Sequence, residues 1–147
     1  VVSVRAEQLF TDLEKRRIVD AIGEAESRSA GEIRVKVIDS CFGKTRTRAE
    51  KEFFRLGVDK TRDASGVLIL LVLGQRRIEV VADKGISARV PQAIWDSLVA
   101  GMAERFREEA YADGLVSAVQ SIGDLLAKHF PRRADDTNEL SNSVSLG

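Results

Sequence analysis

Gly66-Val67-Leu68-Ile69-Leu70-Leu71-Val72-Leu73, then Gly74-Gln75, then Arg77-Ile78-Glu79-Val80-Val81-Ala82 is the stretch that decides the fold. A continuous apolar run of strand length, opened by glycine, is what a strand covered on both faces looks like. It reads as the central strand of a sheet. Glycine first in a two-residue connection favours a type II′ turn, so the run from Arg77 to Ala82 is expected to fold back as an antiparallel neighbour.

Upstream, Ile33-Arg34-Val35-Lys36-Val37-Ile38 alternates at period two with β-branched residues, a strand over Glu32 to Asp39 with one wetter face. Between this strand and the central one, Thr45 to Arg62 carries Ala49, Phe53, Leu56 and Phe54 toward one side, with a Thr47–Glu50 capping box, and reads as a helix that frays near Gly57. A strand-helix-strand unit makes the two strands parallel. Before it, Thr11-Asp12-Leu13-Glu14 is a capping box opening a helix from Asp12 to Arg28, with Leu13, Ile18, Ala21, Ile22 and Ala25 at helical spacing and Gly31 beyond its end.

Downstream, Pro91 introduces a helix that places Ile94, Trp95, Leu98, Val99, Met102 and Phe106 on one face, where Trp95 reads as core. After Tyr111-Ala112-Asp113-Gly114, a last helix carries Leu115, Ala118, Val119, Ile122, Leu125 and Leu126 and closes at His129 and Pro131. The order α-β-α-β-β-α-α predicts an α/β fold: a small mixed β-sheet flanked by helices on both faces, an α/β/α sandwich. Residues 1–131 form one domain and the polar, aperiodic residues 132–147 read as a flexible C-terminal tail.

Composition narrows the function classes. The 147 residues suit one core, and 44% hydrophobic with 31% charged residues is ordinary globular usage. Twenty-three basic residues balance twenty-three acidic ones, so no global field recruits nucleic acid. The single cysteine, Cys41, excludes an internal disulfide and a thiolate zinc cluster, and one histidine cannot furnish an imidazole metal shell. Val67 to Leu73 falls far short of the roughly 20 residues that span a bilayer, so the chain as given reads as soluble without a transmembrane segment, cytoplasmic and membrane-peripheral settings both remaining open.

Asp39-Ser40-Cys41-Phe42-Gly43-Lys44-Thr45 has the look of a phosphate loop, but Ile38 stands where a Walker A motif needs its first glycine. Arg46 and Arg48 fall on either side of the position that a cysteine-phosphatase loop requires after Cys41, and Cys41 stands where an aspartyl-phosphate enzyme would want its second carboxylate. Lys44, Arg46 and Arg48 near a helix start could attract an anion, although a solvated helix end is the favoured reading. Parallel pairing of the first two strands places Glu32, Asp63, Ser65 and Asp83 at one end of the sheet, with Asp59 able to join them, an oxygen-rich set of the kind a hard cation takes. The carboxyl ends of the parallel strands, Asp39 to Lys44 and Gly74, compete with it as the site.

Gly31-Glu32-Ile33-Arg34-Val35, Thr61 followed by Gly66-Val67-Leu68-Ile69, Arg77-Ile78-Glu79-Val80, Ala82-Asp83-Lys84-Gly85-Ile86, His129-Phe130-Pro131 and Asn138-Glu139-Leu140, in that order, resemble the TPM-domain family, formerly a domain of unknown function. Relatives include thylakoid-lumen proteins of photosystem II repair, receptor-associated membrane proteins and bacterial domains beside membrane segments. The resemblance implies an α/β/α sandwich. It favours the end holding Glu32, Thr61, Gly66, Asp83 and Gly85, although Asp63-Ala64-Ser65 stands where the family commonly has arginine-asparagine. It also implies calcium binding or acid phosphatase activity, both associated with members. The expectation is therefore a noncatalytic accessory domain binding calcium at Asp83, Glu32, Asp63 and Asp59 and contacting a protein partner through that face, a membrane protein being one candidate. The alternative is a metal-dependent phosphomonoesterase in which the same carboxylates hold the cation.

Overall fold

The structure, a computed structural model, describes residues 6–132 and 144–146. A 3-10 turn (Ala6–Gln8) precedes α1 (Asp12–Ser27), β1 (Glu32–Ile38), α2 (Thr45–Arg55), β2 (Gly66–Val72), β3 (Arg77–Ala82), α3 (Lys84–Ser87), α4 (Gln92–Arg107), α5 (Tyr111–His129) and β4 (Val144–Leu146). The strands form one sheet in the order β3-β2-β1-β4. As expected, β1 and β2 are parallel, with Glu32 opposite Gly66, and β2 and β3 are antiparallel, with Val67 opposite Ala82.

Period two divides the core. Ile33, Val35 and Val37 of β1 with Val67, Ile69 and Leu71 of β2 face the layer of α1, α4 and α5, where they meet Ile18, Ile22, Trp95, Met102, Leu115 and Ile122. Ile38, Leu68, Leu70, Val72 and Val81 face the other way, onto Ala49 and Phe53 of α2 and Val58 beyond it. The result is the predicted sandwich, with β2 buried along its whole length. Its two cores are unequal, since one helix covers the second face.

Local chemistry explains where elements begin. α1 starts at its capping box: Thr11 Oγ1 accepts from the Glu14 N–H at 3.1 Å, and Glu14 Oε1 accepts from the Thr11 N–H at 2.9 Å. The Thr47–Glu50 box does not form. α2 begins earlier, after Lys44, with no side-chain cap, because the Thr45 hydroxyl donates across to Glu79 Oε1 at 2.8 Å and fixes the start by a tertiary contact. α2 ends at Arg55, and Gly57 at φ +74° turns the chain so that buried Val58 can bond back to Phe53.

The β2–β3 connection is not the expected two-residue turn. It runs through Leu73–Arg76, and the positive φ of 52° sits on Arg76. Gly74 serves close approach instead, since a Cβ there would lie 2.9 Å from the Asp39 carbonyl oxygen. Asp83-Lys84-Gly85 is likewise no open turn, for Asp83 caps α3. Leu13, Phe54 and Ile94, which helical spacing assigned to the core, are exposed. Most of the stretch read as a flexible tail lies outside the described residues, but Val144–Leu146 is a strand, paired parallel to β1 with Val35 opposite Val144. Pairing along the otherwise open edge of β1 supplies the hydrogen bonds that a short segment read alone gives no reason to expect.

Candidate functional site

The register brings Glu32, Ser65, Gly66 and Asp83 to one end of the sheet, as parallel pairing requires. Backbone bonds lace the loops there. The Asp83 N–H donates to the Gly66 carbonyl at 2.9 Å, Glu32 to Ser65 at 3.3 Å, and Gly85 and Ile86 to Ala64 at 2.9 and 3.3 Å. The Ser65 N–H donates to Thr61 Oγ1 at 2.9 Å. A Cβ on Gly85 would lie 2.1 Å from the Asp63 carbonyl oxygen, so only glycine lets α3 sit against the segment preceding β2. This accounts for Thr61, Gly66 and Gly85 by structure.

The acidic side chains separate into different settings. Asp83 is half-buried and Oδ1 accepts from the Lys84 N–H at 2.8 Å, the N-cap bond of α3. Asp63, also half-buried, lines a cleft of about 390 Å³ with Gly85, Arg89, His129, Phe130 and Pro131. Glu32 is buried at 2% exposure, whereas Asp59 is exposed. Among the described residues, no three His, Cys, Asp or Glu side chains form a group that could hold a metal ion. The four acids therefore share an end of the sheet without converging on one point. Glu26, which sequence reasoning missed, is buried on α1 and accepts from the Ile33 N–H at 2.8 Å, next to Glu32. Its place near a helix end gave no signal of that role.

The opposite end is occupied in holding the fold. Asp39 Oδ1 accepts from the Ala6 N–H at 2.6 Å, the Asp39 carbonyl accepts from Gly74, and the Gln75 side chain donates to the Cys41 carbonyl. Arg46 and Arg48 do not converge with Lys44 on an anion. Arg46 reaches β3, donating to the Val80 carbonyl at 2.6 Å, and Arg48 pairs with Glu52 at 3.0 Å.

The supposed wetter face of β1 is in fact covered. Lys36 is only 5% exposed and Glu52 of α2 only 3%. Burial drives the Lys36 ammonium below its ordinary range, with Glu52 opposing. Burial also pushes the Glu52 carboxyl up, but hydrogen bonds from Arg55 and Arg48 outweigh it and hold it low. The charges are thus structural contacts under α2, in the middle of the sheet and away from either end.

A TPM-domain family model matches residues 3–125. The chain is similar to the BA42 protein from the psychrophilic bacterium Bizionia argentinensis, with 34% identity, a TM-score of 0.89, and 97% of this chain and 99% of that one covered. It shares its fold with the N-terminal domain of a Porphyromonas gingivalis (P.gingivalis) protein, at 22% identity and TM-score 0.71 over 85% of this chain and 83% of that one. A similar fold occurs in the N-terminal domain of cg2496 from Corynebacterium glutamicum, at 14% identity and TM-score 0.62 over 80% and 74%. No curated protein matches the chain. Among the described residues, no helix is long and apolar enough to cross a membrane.

Proposed function

The chain belongs to the TPM-domain family, and from that premise we propose that it is a noncatalytic accessory domain that takes calcium between the loop before β2 and the start of α3. The observation that carries this reading is the lacing of those two segments by Gly85 and Ile86 onto Ala64, which holds Asp63 and Asp83 on adjoining loops beside packed backbone carbonyls. Oxygen donors of this kind suit a hard cation. Glu32 and Asp59 are secondary to that pair, the first by its burial and the second by its exposure to solvent.

Two carboxylates carry less charge than the ligand sets of tight calcium loops, so the expected dissociation constant is about 10⁻⁴–10⁻³ M, the range of low-charge extracellular modules. The test is calorimetric titration of calcium and magnesium into the wild type and Asp63→Asn/Asp83→Asn, chosen because asparagine still caps α3. Saturable calcium binding lost in the folded double variant supports the reading. Heat that is absent from the wild type, or unchanged in the variant, sinks it. Cation-dependent release of phosphate from a phosphomonoester, abolished by the same substitutions, would replace the accessory role with the metal-assisted hydrolase.

A further inference from the structure

α2 covers the second face of the sheet, and what holds it there is only half apolar. Of the four residues it buries, Ala49 and Phe53 are apolar while Thr45 and Glu52 are polar. Phe54 stands 64% exposed and adds nothing to the hold. Two apolar side chains stabilise a helix on a sheet far less than the aliphatic series that α5 buries on the other face.

The charged groups around Glu52 are unevenly balanced. From α2 itself, Arg48 Nε donates to it at 3.0 Å and Arg55 Nε at 2.8 Å. From β1, Lys36 lies 5% exposed on the same covered face, with Arg34 two residues before it. β2 presents only Leu68, Leu70 and Val72. β3 presents Val81 together with Glu79, whose carboxylate is taken up at the other end of the helix by Thr45 at 2.8 Å and by Arg46 and Arg77 at 3.8 Å. Among the described residues, the charges acting on Lys36 are thus Glu52, Arg55, Arg48 and Arg34, one negative against three positive. With Glu52 neutral, like charges would face one another beneath the helix, where burial leaves little water to screen them.

We propose that Glu52 is a proton-operated latch, whose protonation releases α2 from the sheet while the layer of α1, α4 and α5 stays closed. A protonated carboxyl no longer accepts charge-assisted bonds from Arg48 and Arg55, and it withdraws the negative charge that faces Lys36. The proton balance fixes the direction. The closed protein holds Glu52 below its ordinary value of 4.5 and opening into water restores that value, so opening takes up a proton as pH falls below 4.5. The gain ends once pH passes the lower, closed value. Release uncovers Ile38, Leu68, Leu70, Val72 and Val81, an apolar sheet face that is buried while the helix is in place. The latch lies at mid-strand, where Lys36 pairs with Leu70, and stands whether or not calcium binds at the Asp63–Asp83 loops.

The experiment follows amide hydrogen exchange of the intact protein from neutral pH to about pH 3, each rate referred to that of an unstructured peptide at the same pH, together with binding of an apolar fluorescent dye. Protection of α2 should hold down to 4.5 and then fall by up to about tenfold per pH unit, while β2 and α5 stay better protected and dye fluorescence rises. Glu52→Gln, its fold checked by circular dichroism, should weaken α2 protection at neutral pH by at least about tenfold and lose the step on acidification. Glu50→Gln, which takes an exposed carboxylate from the same helix, should keep the wild-type profile. Should Glu52→Gln fail to fold, exposed Arg55→Gln serves in its place: stripping a donor from Glu52 raises its closed value and should shrink the step. A wild-type profile that is flat on acidification, α2 amides that lose protection only together with those of β2 and α5, or an unaltered step in the Glu52 or Arg55 variant overturns the proposal.

Discussion

Glu52 illustrates how a charged side chain can belong to the interior as fully as a leucine. At 3% exposure it takes Arg48 at 3.0 Å and two contacts from Arg55, on the same covered face as Lys36. Removing one member of such a group leaves the others desolvated without compensation. Glu52→Gln should lower the unfolding free energy by about 2–3 kcal/mol, judged by urea melts at neutral pH. The pH dependence has a definite sign. The folded-state carboxyl sits below its ordinary value of 4.5, so its contribution is complete above that value and is lost as pH falls through the lower folded one. The variant should therefore show a flatter acid limb than the wild type. Lys36 acts at the other extreme: its folded value lies below the ordinary 10.5, so stability gains as pH rises from the one toward the other.

At the level of elements, local signals were legible where local chemistry decides. The Thr11 box did what its residues promise, and Thr11→Ala should cost about 1 kcal/mol, read as a lowered melting temperature with unchanged far-ultraviolet spectrum. The Val67–Leu73 run and the alternation of Ile33, Val35 and Val37 likewise named the sheet and its pairing directions, because burial on one face or two writes itself into spacing. Three features escaped for the opposite reason. The start of α2 is set by Glu79, far away in the chain; β4 exists by pairing with β1; and Lys36 is covered by a helix that carries its counter-charge. None of these has a period or a cap to read. The candidate site was legible to the same degree: topology alone placed Glu32, Asp63 and Asp83 at one end, whereas burial of Glu32 and the capping role of Asp83 depend on packing that spacing does not encode.

Across the whole molecule, the unequal cores set different resistances to opening. The layer of α1, α4 and α5 buries a long series of aliphatic and aromatic side chains, while α2 rests on Ala49 and Phe53 with a desolvated set of charges beside them. Fewer apolar contacts mean a lower local opening free energy. Amide hydrogen exchange should find the α2 protons exchanging through a partial opening, before those of β2 and α5; equal protection throughout would mean that the two layers open as one unit.

β3 lies at the outside of the sheet, and the bond from Arg46 to the Val80 carbonyl occupies an acceptor on that flank. Unpaired strand flanks act as templates on which a second chain can grow, and a charged side chain lying along one denies the newcomer its footing. Through that guanidinium, one acceptor on the open flank of β3 is turned to intramolecular use and withheld from any incoming strand.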